Sequence, residues 1–171
     1  SPETSRQGNL FGILGMTIAI IVTFLTIGSF SKGFIYVVIF LLIGGIIGSI
    51  IAFKISMTAM PQLVAGFHSL VGLSAVLVAI SAFLKPDVFN LGTVGNIKTA
   101  SLIEMSLGAS IGAITFSGSV IAFLKLQGIM SGSPIVFKGQ HILNGLIVIS
   151  IAASIAYLSM SQISLLFWIL I

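Results

Sequence analysis

The stretch Met60–Leu84, MPQLVAGFHSLVGLSAVLVAISAFL, decides how the chain reads. A bilayer crossing takes about 20 apolar residues, and this run supplies them with one ionisable residue, His68. The surrounding sequence has the same character. Of 171 residues, 57% are hydrophobic and 6% charged, with a mean hydropathy of +1.27. A soluble domain carries about 25% charged residues. There is too little polar surface here to cover a globule, so the chain reads as an integral membrane protein.

Apolar runs place helices at about 9–28, 34–53, 62–84, 102–126 and 141–158, with a sixth beginning near 163 and cut off at 171. The expected fold is all-α: a single polytopic transmembrane helix bundle with five full helices and the start of a sixth. Pro61 suits the first turn of the third helix. The connector Ser29–Gly33 is short, so the second helix should return antiparallel beside the first. Gly8 with Gly12, and Gly44 with Gly48, have the GxxxG spacing that lets helices approach closely. Gly72, Gly108 and Gly112 add small positions for packing on the third and fourth helices. The segment from Lys85 to Ser101 is rich in turn formers and solvated groups, among them Asn90, Gly92, Gly95 and Asn96. The absence of an initiator Met and the apolar run at Leu165–Ile171 read as an internal piece of a longer protein.

The chain has no cysteine, which removes disulfides, thiolate catalysis and Cys-ligated metal centres. The net charge of +4 comes from lysines and an arginine scattered through short loops. No basic patch or basic helix is present, so nucleic acid is not an expected partner. Arg6, Lys54, Lys125 and Lys138 fall on one side of the membrane, and Lys32, Lys85 and Lys98 on the other. Four against three biases the first side toward the cytoplasm.

His68 lies six residues after Gln62, roughly 9 Å along the helix and so in or near the hydrocarbon. Ala65, Gly72, Ala75 and Ala79 give it a small-residue surround, with Ser69 and Ser74 nearby. Ionisable groups inside a membrane are expensive and usually face a bundle interior or water. Histidine also titrates near working pH when unperturbed. Two readings stand: a protonation switch or relay, and a neutral histidine hydrogen-bonded between helices. The next helix carries Glu104, Gly108, Thr115 and Ser119 within roughly 60° of one face, with Gly112 and Gly118 alongside. That stripe is able to line a wet path toward His68. Equally, Ser and Thr can spend their hydroxyls on their own helix carbonyls, and Glu104 can be an interfacial carboxylate near a helix N-terminus. His141 reads as a solvated interfacial residue. The sequence offers no phosphate-binding loop, no Ser-His-Asp arrangement and no metal-ligand spacing. Gly92–Gly95 is too short for a dinucleotide fingerprint.

Three segments resemble one family. SPETSRQGNLFGILGM (1–16) resembles a connector and helix start in the membrane domain of the β subunit of proton-translocating NAD(P) transhydrogenase. MPQLVAGFHSLVGLSAVLVA (60–79) is similar to its histidine-bearing helix. IEMSLGASIGAITFSGSVIAFLKL (103–126) is similar to a following helix with the pattern E-x-x-x-G…G-A-x-T-F-[ST]-G-S. The resemblance implies a membrane domain that conducts protons inward while separate soluble domains pass hydride from NADH to NADP+. It implies a proton-pathway histidine at His68, a carboxylate near the outer mouth at Glu104 and a facing-helix serine at Ser119; Thr115 joins the expected pathway by its place on the same helix face. Hydride transfer, NAD and NADP would then lie outside this segment, which would bind no cofactor or metal and hold no catalytic residue. The implied partners are the lipid bilayer, the α subunit, the remaining membrane helices and an NADP(H)-binding domain, in a dimer of the full enzyme. The implied location is the bacterial cytoplasmic membrane, or the mitochondrial inner membrane in a eukaryote. Rival expectations are a non-catalytic helical scaffold and a small-molecule transporter; the inverted repeat with broken helices that a transporter would carry is not visible.

Overall fold

The structure, a computed structural model, describes residues 2–27 and 32–171. It is helical almost throughout. Among the described residues, five helices are long and apolar enough to cross a membrane: the spans Thr4–Leu25, Gly33–Lys54, Met57–Leu84, Thr99–Leu126 and Gln140–Ser161. The protein is an all-α polytopic bundle, as its composition requires. It divides into two compact units, Ser1–Ile55 and Ser56–Ile171.

The first unit consists of α1 (Pro2–Ile27) and α2 (Lys32–Lys54). Both are apolar around their circumference, the pattern of helices surrounded by lipid or by other helices. The described side chains are exposed along nearly all of both helices. The rings of Phe24 and Phe34 meet with centroids 5.2 Å apart. Thr17 and Thr23 donate their hydroxyls to the carbonyls of Ile13 and Ala19, four residues back. A Cβ added at Gly8, Gly12, Gly44 or Gly48 would meet nothing within 4 Å among the described residues. The expected connector Ser29–Gly33 lies largely outside the described residues, at 28–31.

The second unit is built on a helical hairpin. A short 3-10 turn (Met57–Ala59) leads into α3 (Met60–Leu84), and α4 (Thr99–Leu126) returns antiparallel to it. The register is fixed at three levels. The Gln62 side chain donates to the Leu126 carbonyl at 2.9 Å. Gly66 faces the Phe123 ring. Gly72 faces Gly112 and Phe116 so closely that a Cβ on Gly72 would stand 2.8 Å from the Gly112 carbonyl oxygen and 2.5 Å from the Phe116 nitrogen. Glycine at 72 and 112 therefore sets the distance of closest approach, as small residues do between membrane helices.

The segment between α3 and α4 is not merely a loop. β1 (Gly92–Thr93) and β2 (Asn96–Ile97) pair antiparallel as a miniature hairpin, turned at Gly95 with φ +82. α5 (Gln140–Ser161) runs back along α4, and α6 (Ser164–Ile169) folds under it after a sharp corner at Gln162. The core gathers at this hairpin-bearing end. Ala82, Ile97, Leu102, Leu158 and Phe167 are buried together, and Phe83 stacks on Phe167 with centroids 4.0 Å apart. Toward the other end α5 splays away, and residues 141–150 are all exposed.

Candidate functional site

The α3–α4 pair has two flanks. One carries α5. Within the Ser56–Ile171 unit the other is open, and along it Ala75 and Ala82 of α3 face Glu104, Met105 and Gly108 of α4 across a groove of about 400 Å³. The groove exists because its walls are small: alanine on α3 and glycine on α4 leave room where larger side chains would close the gap.

His68, Ala75 and Ala82 are spaced seven residues apart and so fall on one line of α3. His68 therefore continues the α3 wall toward the end away from the hairpin. Thr115 follows Glu104 and Gly108 on the same line of α4. The register set by Gln62–Leu126 and Gly72–Gly112 puts Ser119 opposite Ser69, at the level of His68. Glu104 thus stands at one end of the open flank, and His68 with Ser119 stands about 22 Å away, at 1.5 Å per residue.

The hydrogen bonds divide the hydroxyls into two sets. Ser106, Ser110 and Ser117 donate to their own helix, to Leu102, Ser106 and Ala113 respectively, at 2.7–2.9 Å. Ser69 does the same to Gly66 at 2.7 Å. Thr115 and Ser119 make no hydrogen bond among the described residues. Ser119 is only 8% exposed, yet among the described residues no fully enclosed polar side-chain atom lacks a partner, so its Oγ keeps access to the outside of the interface. His68 and Glu104 are exposed and have neither a hydrogen bond nor an ion pair among the described residues. His68, Glu104, Thr115 and Ser119 thus have no side-chain partner among the described residues, whereas Ser74 in the groove donates to the Val71 carbonyl at 2.8 Å.

They do not touch in sequence along α4. Glu104 and Thr115 are about 16 Å apart along the axis, far beyond the ~3 Å of a hydrogen bond. Any proton passing between them needs bridging water, for which small side chains leave space. The packing glycines divide as well. Gly72 and Gly112 hold the hairpin together, Gly108 opens into the groove, and Gly44 and Gly48 belong to the other unit.

Sequence reasoning passed over the other flank. Ser110 and Ser117, with Ser150 of α5, line a cleft of about 630 Å³. Ser106, Ser110 and Ser117 are spaced by four and seven, so helical periodicity contained that signal. It also passed over Gln62, whose carboxamide ties α3 to the Leu126 carbonyl and accepts from Gln127 at 3.2 Å. Gly92–Gly95, the one glycine pair near a strand, turns a hairpin instead of opening a helix, so the described residues there lack the dinucleotide fingerprint. Nor do they gather three metal-ligating side chains.

Comparison with protein families matches residues 1–171 to the family described as "NAD(P) transhydrogenase beta subunit". Among individual proteins, the NAD(P) transhydrogenase subunit beta of Rhodospirillum rubrum is 53% identical over 141 residues, 82% of this chain and 30% of the relative. The protein of the same name from Rhodospirillum rubrum strain ATCC 11170 matches with the same figures. The chain spans less than a third of the length of these relatives. With all of the chain matched to the family and more than half the aligned residues of a relative identical, the chain belongs to the NAD(P) transhydrogenase beta subunit family.

Proposed function

We propose that this chain is the proton-conducting membrane part of an NAD(P) transhydrogenase, coupling inward proton translocation to hydride transfer from NADH to NADP+ on separate soluble domains. A proton enters from the outer side near Glu104, passes the face of Thr115 and Ser119, and reaches His68. The observation that carries this reading is the placement of His68: the one ionisable residue of α3, without a partner among the described residues, on the line of the groove that begins at Glu104.

Charging an imidazole within the hydrocarbon is costly unless water or an opposite charge compensates. Glu104, about 22 Å away, is too distant to do so. Protonation therefore changes which hydrogen bonds and helix contacts are favourable around His68. That is the two-state bias that coupling to a distant domain requires. The partners in this reading are the lipid bilayer, the α subunit, the remaining membrane helices and an NADP(H)-binding domain, in a dimeric enzyme of the bacterial cytoplasmic or mitochondrial inner membrane. NAD and NADP are held by those other domains. The test is His68→Asn and His68→Ala in the full-length enzyme, assayed for proton-driven reduction of NADP+ by NADH. Both variants are expected to lose the reaction by about 100-fold or more, the range of a positioned proton-transfer group. Retention of the wild-type rate would remove His68 from the route.

A further inference from the structure

The corner between α5 and α6 holds a contact that the groove itself does not use. Gln162 accepts the Ile97 N–H at 2.9 Å and donates its amide to the Ile97 carbonyl at 3.2 Å, across 65 residues of sequence. Ile97 faces Gly92 in the hairpin, and the Lys98 N–H goes to the Leu91 carbonyl. The polar groups of Ile97 are therefore turned to the outer edge of β2. The Gln162 carboxamide serves that edge as a strand one residue long would.

The backbone at Gln162 makes the contact more telling. Its φ is +54, the left-handed conformation that usually follows a helix at glycine or asparagine. Glycine would adopt it without strain. The side chain that glycine lacks is what the corner uses. From Ile97 the path to the groove is short. Ile97 and Leu102 are both buried in the core. The Leu102 N–H bonds the Lys98 carbonyl at 2.9 Å to close the first turn of α4. Glu104 is two residues further on.

We propose that Gln162 is a positioning residue for Glu104. Its grip on Ile97 fixes the hairpin, the hairpin fixes the start of α4, and the start of α4 fixes where the Glu104 carboxylate opens into the groove. The inference rests on the role proposed above for Glu104. The other ionisable groups at this end are Lys85, Asp87 and Lys98 around the hairpin and Tyr157 on α5. Lys98 is engaged with the Asn90 carbonyl at 2.9 Å. The α3 residues of the groove wall and the whole of α6 contribute none.

The experiment uses the full-length enzyme with Gln162→Leu and Gln162→Gly, alone and combined with Glu104→Gln. Gln162→Gly removes the grip while relieving the backbone, so its effect cannot be assigned to strain at the corner. Two quantities are read: amide exchange of the peptide containing Ile97, and the pH profile of proton-driven NADP+ reduction. Both variants should speed exchange about tenfold, as the loss of two hydrogen bonds implies. Both should displace the pH profile, and neither should displace it further in the Glu104→Gln background, the sign that the two residues act as one unit. Unchanged exchange overturns the grip. Faster exchange with an unmoved profile reduces Gln162 to a structural tie and overturns the positioning role, as does an equal displacement in the Glu104→Gln background. A Glu104→Gln profile identical to wild type overturns the role of Glu104 itself; that failure is recognised because exchange still responds to Gln162.

Discussion

Glycine and serine do opposite kinds of work on α4, and substitutions separate them. A methyl group at Gly72 would enter the backbone of α4 at Gly112 and Phe116. Gly72→Ala is expected to destabilise the α3–α4 pair by about 1–3 kcal/mol, the cost of overpacking a tight contact, read as a lower midpoint of thermal unfolding in detergent. Gly108→Ala meets nothing within 4 Å among the described residues and should leave that midpoint within about 0.5 kcal/mol of wild type. Ser119→Ala removes a hydroxyl that bonds nothing among the described residues, so it too should be nearly neutral for stability. If Ser119 lies on the proton route, the same substitution lowers proton-driven turnover. Ser110→Ala, whose hydroxyl is spent on the Ser106 carbonyl, should leave turnover unchanged. At this scale the sequence singles out His68, Glu104, Thr115 and Ser119 by type and spacing. It did not tell which hydroxyls were free, because Ser117 and Ser119 are indistinguishable until their rotamers and neighbours are known.

Helices were legible from apolar runs because a membrane segment satisfies its backbone internally and so must be regular. Their ends were less so. α1 already begins at Pro2 and α4 at Thr99, in polar sequence whose helicity hydropathy does not report. The 92–97 hairpin was not legible at all. Its strands are two residues long, and its outer edge meets Gln162, a contact that no local pattern encodes. The open faces of α1 and α2 supply a prediction at this scale. Gly44→Leu and Gly48→Leu alter positions with no neighbour among the described residues. They should leave the helix content seen by circular dichroism unchanged. If these glycines pack against the rest of the enzyme, they should reduce the fraction of full-length protein that elutes as assembled complex.

For the whole molecule, the low charge fixed the class and the lysines proposed the orientation. The Gln62–Leu126 tie and the 92–97 hairpin mark opposite ends of the α3–α4 pair. If the charge bias is right, a cysteine at Val94 is labelled by an impermeant thiol reagent from outside, and one at Ser131 only from the cytoplasmic face. The reverse pattern would invert the proposed direction of proton entry. The central claim is that His68 is the group through which protons crossing the bundle act on hydride transfer. Its most direct test is proton uptake by proteoliposomes in which the full-length enzyme turns its soluble domains to the lumen, with NADH and NADP+ trapped inside together with a pH indicator. The account predicts that wild type acidifies the lumen in step with NADPH formation, and that equally well-assembled His68→Asn loses both by about 100-fold or more. Proton uptake by His68→Asn at the wild-type rate would contradict it.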